Sequence, residues 1–140
     1  MSRPSGPKTR NGGQWTEARW RSFVKNQLRS ATRKWPPTSQ CQKDARVARG
    51  MYRCAMCQED VPASIKNGKK RERNIFVDHI QPIVDPHTGW TTWDEVVERM
   101  FCEQDNLQVL CRACHDKKTA EERAIATERR KLEKEQDIED

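Results

Sequence analysis

At 140 residues, the chain is long enough for one domain with appendages and too short for two large ones. Only 34% of its residues are hydrophobic, another 34% are charged, and the mean hydropathy is −1.09. That balance excludes a large apolar core, so a metal or disulfide staple is expected, and six cysteines are available to form it. No stretch approaches the length of a membrane span, and no N-terminal apolar run resembles a secretory signal. The expected location is therefore cytoplasmic, with no membrane partner. In a reducing compartment, paired cysteines hold metal more often than they form disulfides.

The formal net charge of +6 is unevenly spread. Residues 1–50 carry twelve Lys/Arg against Glu17 and Asp44, whereas residues 51–140 carry fifteen against nineteen Asp/Glu. A basic first third predicts contact with nucleic-acid phosphates; the plain alternative is a solubilising arm.

Residues 1–14, MSRPSGPKTRNGGQ, combine Gly, Pro, Ser and cations without periodicity and read as a flexible basic tail. Residues 15–50 read as a basic helical region. Trp20, Phe23, Val24, Leu28 and Ala31 predict one apolar face of a helix beginning at Thr16, with arginines and Lys25 over the rest. Pro36-Pro37 is expected to stop it. Thr38 or Ser39 then caps a second short helix running to about Ala48, with Gly50 as its stop.

The segment MYRCAMCQEDVP suits a tight knuckle, and Asn67-Gly68 is a strong turn signal followed by a basic run and a strand, NIFVDHI. TTWDEVVERMF reads as a helix with a Thr92/Glu95 capping box. NLQVLC is a second strand, and a helix starts near Arg112, with Thr119 and Glu122, another T-x-x-E, expected to re-cap it. Residues 120–140 read as a highly charged helix or tail that frays or projects into solvent.

Cys54-Ala-Met-Cys57 and Cys111-Arg-Ala-Cys114 are two C-x-x-C pairs. Thiolates at that spacing on a tight turn both reach one ion at about 2.3 Å, and two such turns complete a tetrahedral zinc site of four cysteines. The gap from Cys57 to Cys111 far exceeds the spacer of roughly 15–20 residues in zinc ribbons, which requires a folded insertion between the pairs. The alternatives are buried apolar cysteines or a redox pair, and the βαβ context of the latter is absent. Cys41 and Cys102 have no partner at ligand spacing and read as small buried hydrophobes.

There are three histidines, His79, His87 and His115. Adjacent helical residues point about 100° apart, so an ion held by Cys111 and Cys114 is poorly placed for His115. His115 is thereby assigned to a second site. Asp78 and His79 are candidates to share it: successive residues of a regular strand point to opposite sides, but a strand end leading into a loop relaxes this. A carboxylate with an imidazole binds a hard cation incompletely and leaves positions for water and phosphate oxygens. His87, in DPHTGW, reads as part of a surface turn.

Together, CAMC, VDHIQPI and DNLQVLCRACHDKKT resemble the HNH endonucleases, particularly the small zinc-stapled forms common in phages and mobile elements. The resemblance covers roughly residues 54–119 and is most specific in the Asp78-His79 pair and the Asn106-x8-His115 spacing. It implies an α+β fold: a ββα-metal core over residues 51–119, stapled by a four-cysteine zinc knuckle, with N-terminal helices and a C-terminal helix. Residues 81–104 form a helical insertion outside the family pattern. By the same resemblance, Asp78 and His115 ligate one Mg²⁺ or Mn²⁺, His79 is the general base, and Asn106 holds the loop or the His79 ring. The products implied are a 5′-phosphate and a 3′-hydroxyl.

Lys69, Lys70, Arg71 and Arg73, with Arg112, Lys117 and Lys118 around His115, are candidates to flank the scissile phosphate. Nothing resembles a base-reading helix, so weak specificity and a steep salt dependence are expected. The expected function is DNA hydrolysis, by nicking or by cutting both strands. The second reading is a non-catalytic zinc-stapled nucleic-acid-binding protein, or an accessory factor in phage DNA packaging. Expected partners are DNA, then phage packaging proteins or a second copy of the chain. The compartment would be a bacterial host cell if the chain is phage-encoded.

Overall fold

The structure, a computed structural model, describes residues 6–139; the start of the expected tail, residues 1–5, lies outside them. The chain divides after Lys34 into two compact units, a boundary that falls inside the expected 15–50 helical region.

In the first unit, β1 (Lys8–Arg10) pairs antiparallel with β2 (Trp15–Thr16), so part of the expected flexible segment is a small hairpin. Asn11, Gly12 and Gly13 all take positive φ at its turn, a conformation that Asn and Gly adopt at least cost. Helix α1 (Glu17–Ala31) starts where Thr16 Oγ1 accepts the Arg19 N–H at 3.2 Å. None of its residues is buried, and Phe23 remains 49% exposed, its ring edge-on to Trp15 with centroids 5.4 Å apart. The expected apolar stripe therefore packs only thinly within this unit. Arg10 lies over Trp20 at 3.7 Å while its Nε donates to Glu17 at 2.9 Å.

The second unit opens with α2 (Pro36–Ala45). The proline pair starts this helix, because the first helical positions need no donor N–H and proline's fixed φ suits them. Trp35, at the N-cap, donates its indole N–H to Cys102 O at 2.6 Å. The helix ends at Ala45, three residues short of the expected end. Arg46 turns extended at ψ 125°, and β3 (Arg46–Ala48) pairs with β4 (Met51–Arg53) around Gly50, whose φ of 71° makes it a hairpin turn. β5 (Asp60–Pro62) completes a three-stranded antiparallel sheet.

β6 (Ser64–Asn67) and β7 (Lys70–Arg73) form a separate hairpin. Its two-residue loop is Gly68-Lys69, with Gly68 at φ 67°, one position later than an Asn67-Gly68 loop would fall. Gly at the first loop position is the type II′ arrangement, and it sets Lys66 opposite Arg71. β8 (Ile75–His79) pairs antiparallel with β9 (Leu107–Cys111); between them lies α3 (Trp93–Met100), whose cap Thr92 accepts the Glu95 N–H at 3.2 Å.

Helix α4 (Arg112–Glu139) then runs without a break. Thr119 does not re-cap it, since a cap needs a non-helical residue and the turn before Thr119 is already helical.

The core is small. Cys41, Ile75, Leu107 and Val109 form its main cluster, with Cys102 packed against it. The insertion is tied to α4 where Arg129 Nη1 donates to Pro86 O at 3.4 Å. Gly89 has a φ of 78°, and a Cβ there would run into the Arg129 guanidinium. Gly89→Ala is expected to destabilise the protein by about 1–3 kcal/mol, measured by chemical denaturation.

Candidate functional site

The two C-x-x-C pairs meet. Each of Cys54, Cys57, Cys111 and Cys114 presents a sulfur within 4.8 Å of the others, an arrangement that can hold one metal ion such as zinc. The first pair sits in the loop between β4 and β5, closed by Cys54 N–H to Glu59 O at 3.0 Å and by Gln58 at φ 62°. Ala55 N–H donates to Val109 O at 2.8 Å and fastens this loop to β9. The second pair spans the end of β9 and the first turn of α4.

Burial pushes the Cys54 thiol up, but N–H groups of Cys57, Cys111 and Met56 outweigh it and bring it down to about 6. Burial and the three neighbouring thiols push Cys114 up to about 12. Four crowded sulfurs release a first proton readily and a last one reluctantly, unless a cation compensates the charge.

His115 is outside the cluster, as the 100° offset requires. Its ring stacks on Phe76 of β8, with centroids 4.4 Å apart and planes 17° apart. Phe76 and Asp78 leave β8 on the same side, two residues apart, and so face α4. Asp78 Oδ2 accepts from Gln108 Nε2 at 3.1 Å and pairs with Lys118 Nζ at 2.9 Å. The same ammonium donates to His79 O at 2.9 Å and to Glu122 Oε1 at 2.7 Å. Burial pushes the Lys118 ammonium down; Glu122 and Asp78 more than offset this and hold it above its usual range. The Asp78 carboxylate is thus already paired with a cation of the chain itself.

β8 keeps its register through His79, opposite Leu107, so the His79 ring leaves the strand on the other side from Asp78, and the two do not face one centre as expected: the strand end does not relax the alternation. Its Nε2 lies 2.8 Å from Met100 O. A carbonyl only accepts, so Nε2 carries the ring proton and Nδ1 presents its lone pair. Asn106 pins the loop rather than the ring: its Oδ1 accepts Gln81 N–H at 2.9 Å, its Nδ2 donates to Gln81 O at 3.3 Å, and its own carbonyl accepts Ile80 N–H at 2.8 Å. His87 sits in an exposed turn, its N–H bonded to Asp85 Oδ1 at 2.9 Å.

The expected phosphate contacts divide. Lys69, Lys70, Arg71 and Lys117 are exposed. Lys118 is turned inward, towards Asp78. Arg112 spends its guanidinium on Arg73 O, through Nε at 3.0 Å and Nη2 at 2.7 Å. Lys66, which sequence reasoning missed, faces Arg71 directly, and Arg73 shares that side of the hairpin, with no acid among them. Like charges directly opposite destabilise a hairpin, so the arrangement is one that a polyanion would relieve. From it, Arg73 reaches over Phe76 at 4.9 Å, on whose ring His115 stacks. Gln108 and Glu122 were also missed; the signal for Gln108 is a polar residue inside the apolar run LQVLC.

Comparison with protein-family models, curated proteins and solved structures finds no significant match for this chain. Among the described residues no helix is long and apolar enough to cross a membrane.

The cysteine cluster is expected to bind one zinc per chain, with a chelator or Cys111→Ser lowering the thermal midpoint. Metal analysis of protein purified without chelator, followed by melting with and without chelator, checks this.

Proposed function

We propose that the chain is a metal-dependent HNH-type endonuclease acting on DNA, its scaffold stapled by zinc in the four-cysteine cluster. One observation carries the reading: β8, β9 and α4 form a ββα unit in which Asp78 and Phe76 of β8 meet Lys118 and His115 of α4. Asp78 and His115 would hold one Mg²⁺ or Mn²⁺, which when bound supplies positive charge to the scissile phosphate and its leaving 3′-oxygen.

The HNH resemblance makes His79 the base; its ring leaves β8 on the side away from Asp78 and Phe76, with Nε2–H on the Met100 carbonyl, so Nδ1 would take the proton of an attacking water at the end of the strand, where the two sides meet. Asn106 is a positioning residue that fixes the loop leaving His79. The acid-free side of the β6–β7 hairpin, with Lys66, Arg71 and Arg73, holds the DNA backbone beside the site without reading sequence. The products are a 5′-phosphate and a 3′-hydroxyl.

The Lys118–Asp78 ion pair favours a second reading, since a carboxylate already neutralised serves stability as well as catalysis. The chain is then a non-catalytic zinc-stapled nucleic-acid-binding or phage-packaging accessory protein.

Nicking of supercoiled plasmid with Mg²⁺ or Mn²⁺ separates the two. The wild type is expected to nick, and His79→Ala to lose about 10²–10⁴-fold in rate. Equal rates would sink the assignment of His79, and no nicking with any metal would leave the binding protein. For the hairpin, Lys66→Ala/Arg71→Ala is expected to weaken binding of every duplex alike and to flatten the log K against log salt slope by about 2. Filter binding across a salt series measures it.

A further inference from the structure

Lys118 is the only lysine among the described residues whose ammonium has three protein oxygens around it: Asp78 Oδ2 at 2.9 Å, His79 O at 2.9 Å and Glu122 Oε1 at 2.7 Å. An ammonium has three N–H donors, so this cage satisfies all of them. The side chain is 16% exposed, as is that of Asp78, so little water screens the pair. Two of the oxygens belong to consecutive residues of β8, and the third lies one turn further along α4. A surface lysine read from CHDKKT as a phosphate contact is therefore an internal counter-ion.

We infer that Lys118 occupies the cation seat of Asp78 as an internal competitor, so that a divalent ion binds there only by displacing its ammonium. This rests on the reading of Asp78 as a metal ligand. A divalent cation and an ammonium repel each other strongly at one half-buried carboxylate oxygen, so both cannot keep it. The lysine has somewhere to go. Glu122, at i+4, retains the ammonium when Asp78 is given up, and the flexible four-carbon stem allows the swing. Lys118 stands three residues after His115, on the same side of α4. The displaced ammonium then lies beside the phosphate that the ion would polarise. The device keeps Asp78 paired without metal and links metal entry to presentation of a phosphate-binding cation.

The test is Mn²⁺ affinity of the full, zinc-loaded chain, read from the electron paramagnetic resonance signal of free Mn²⁺. Lys118→Met, which keeps the stem and removes the charge, is expected to bind Mn²⁺ about tenfold more tightly or better. Lys118→Arg keeps the charge and is expected to bind no more tightly than wild type. Asp78→Asn should abolish the site in every background. Circular dichroism and zinc content confirm that each variant is folded; Lys118→Gln replaces Lys118→Met if the latter is not. Unchanged or weaker affinity in the uncharged variant, with binding still lost in Asp78→Asn, overturns the competitor and leaves the nuclease reading standing. Absence of Mn²⁺ binding in wild type and Lys118→Met alike overturns both.

Discussion

The second unit depends on one joint, the meeting of four sulfurs from residues 54, 57, 111 and 114. The buried apolar residues are few, and two of the nine are themselves cysteines of this cluster. A core so small does not on its own fix how a long, highly charged helix leaves a two-stranded sheet. The cluster does, because it binds the first turn of α4 and the end of β9 to the loop between β4 and β5. Once the helix is anchored through Cys114, its pitch decides what the next residues meet. His115 turns from the sulfurs to the ring of Phe76, and Lys118, nearly one turn on, meets Asp78.

Charge is handled in opposite ways at the two ends of this arrangement. Around Asp78 opposite charges meet: one half-buried ammonium lies between two carboxylates, Asp78 and, one turn along α4 from the lysine, Glu122. On one side of the β6–β7 hairpin no acid is present, and Lys66 and Arg71 face each other across the strands. The first pattern stabilises the fold and keeps a costly buried charge paired. The second sets like charges opposite each other, which costs stability. Arg73 belongs to both, since it lies on the cationic side of the hairpin and over the ring that His115 stacks on.

The loop after β8 is the other fixed point. Asn106 uses both ends of its amide on Gln81, and its carbonyl on Ile80, so the chain leaves His79 along one path. The carbonyl of Met100, the last residue of α3, fixes the imidazole and its tautomer. The insertion therefore contributes to the site through a main-chain atom, which no residue pattern in the segment announces.

Local chemistry was legible from sequence wherever one residue's own geometry decides the outcome. The paired C-x-x-C spacing, the Thr92 cap, the extended β8 and β9 and the separation of His115 from the sulfurs all follow from turn, cap and helix geometry within a few positions. Legibility ended where a distant partner decides. The first helix ends at Ala31, ahead of Pro36-Pro37 as expected, but the pair also begins the next helix, whose cap Trp35 bonds Cys102 from 67 residues away. Arg46–Ala48 is helix-compatible until Met51–Tyr52 offers it a ladder. Lys118 has the composition of a surface cation, and only the approach of β8 to α4 gives it Asp78 and makes it an interior one. The sequence by itself determined the two cysteine pairs, the Thr92 cap and the paired strands β8 and β9; the tertiary structure decided which charges face each other, because side-chain pairing across strands and helices depends on register and pitch that no local pattern carries.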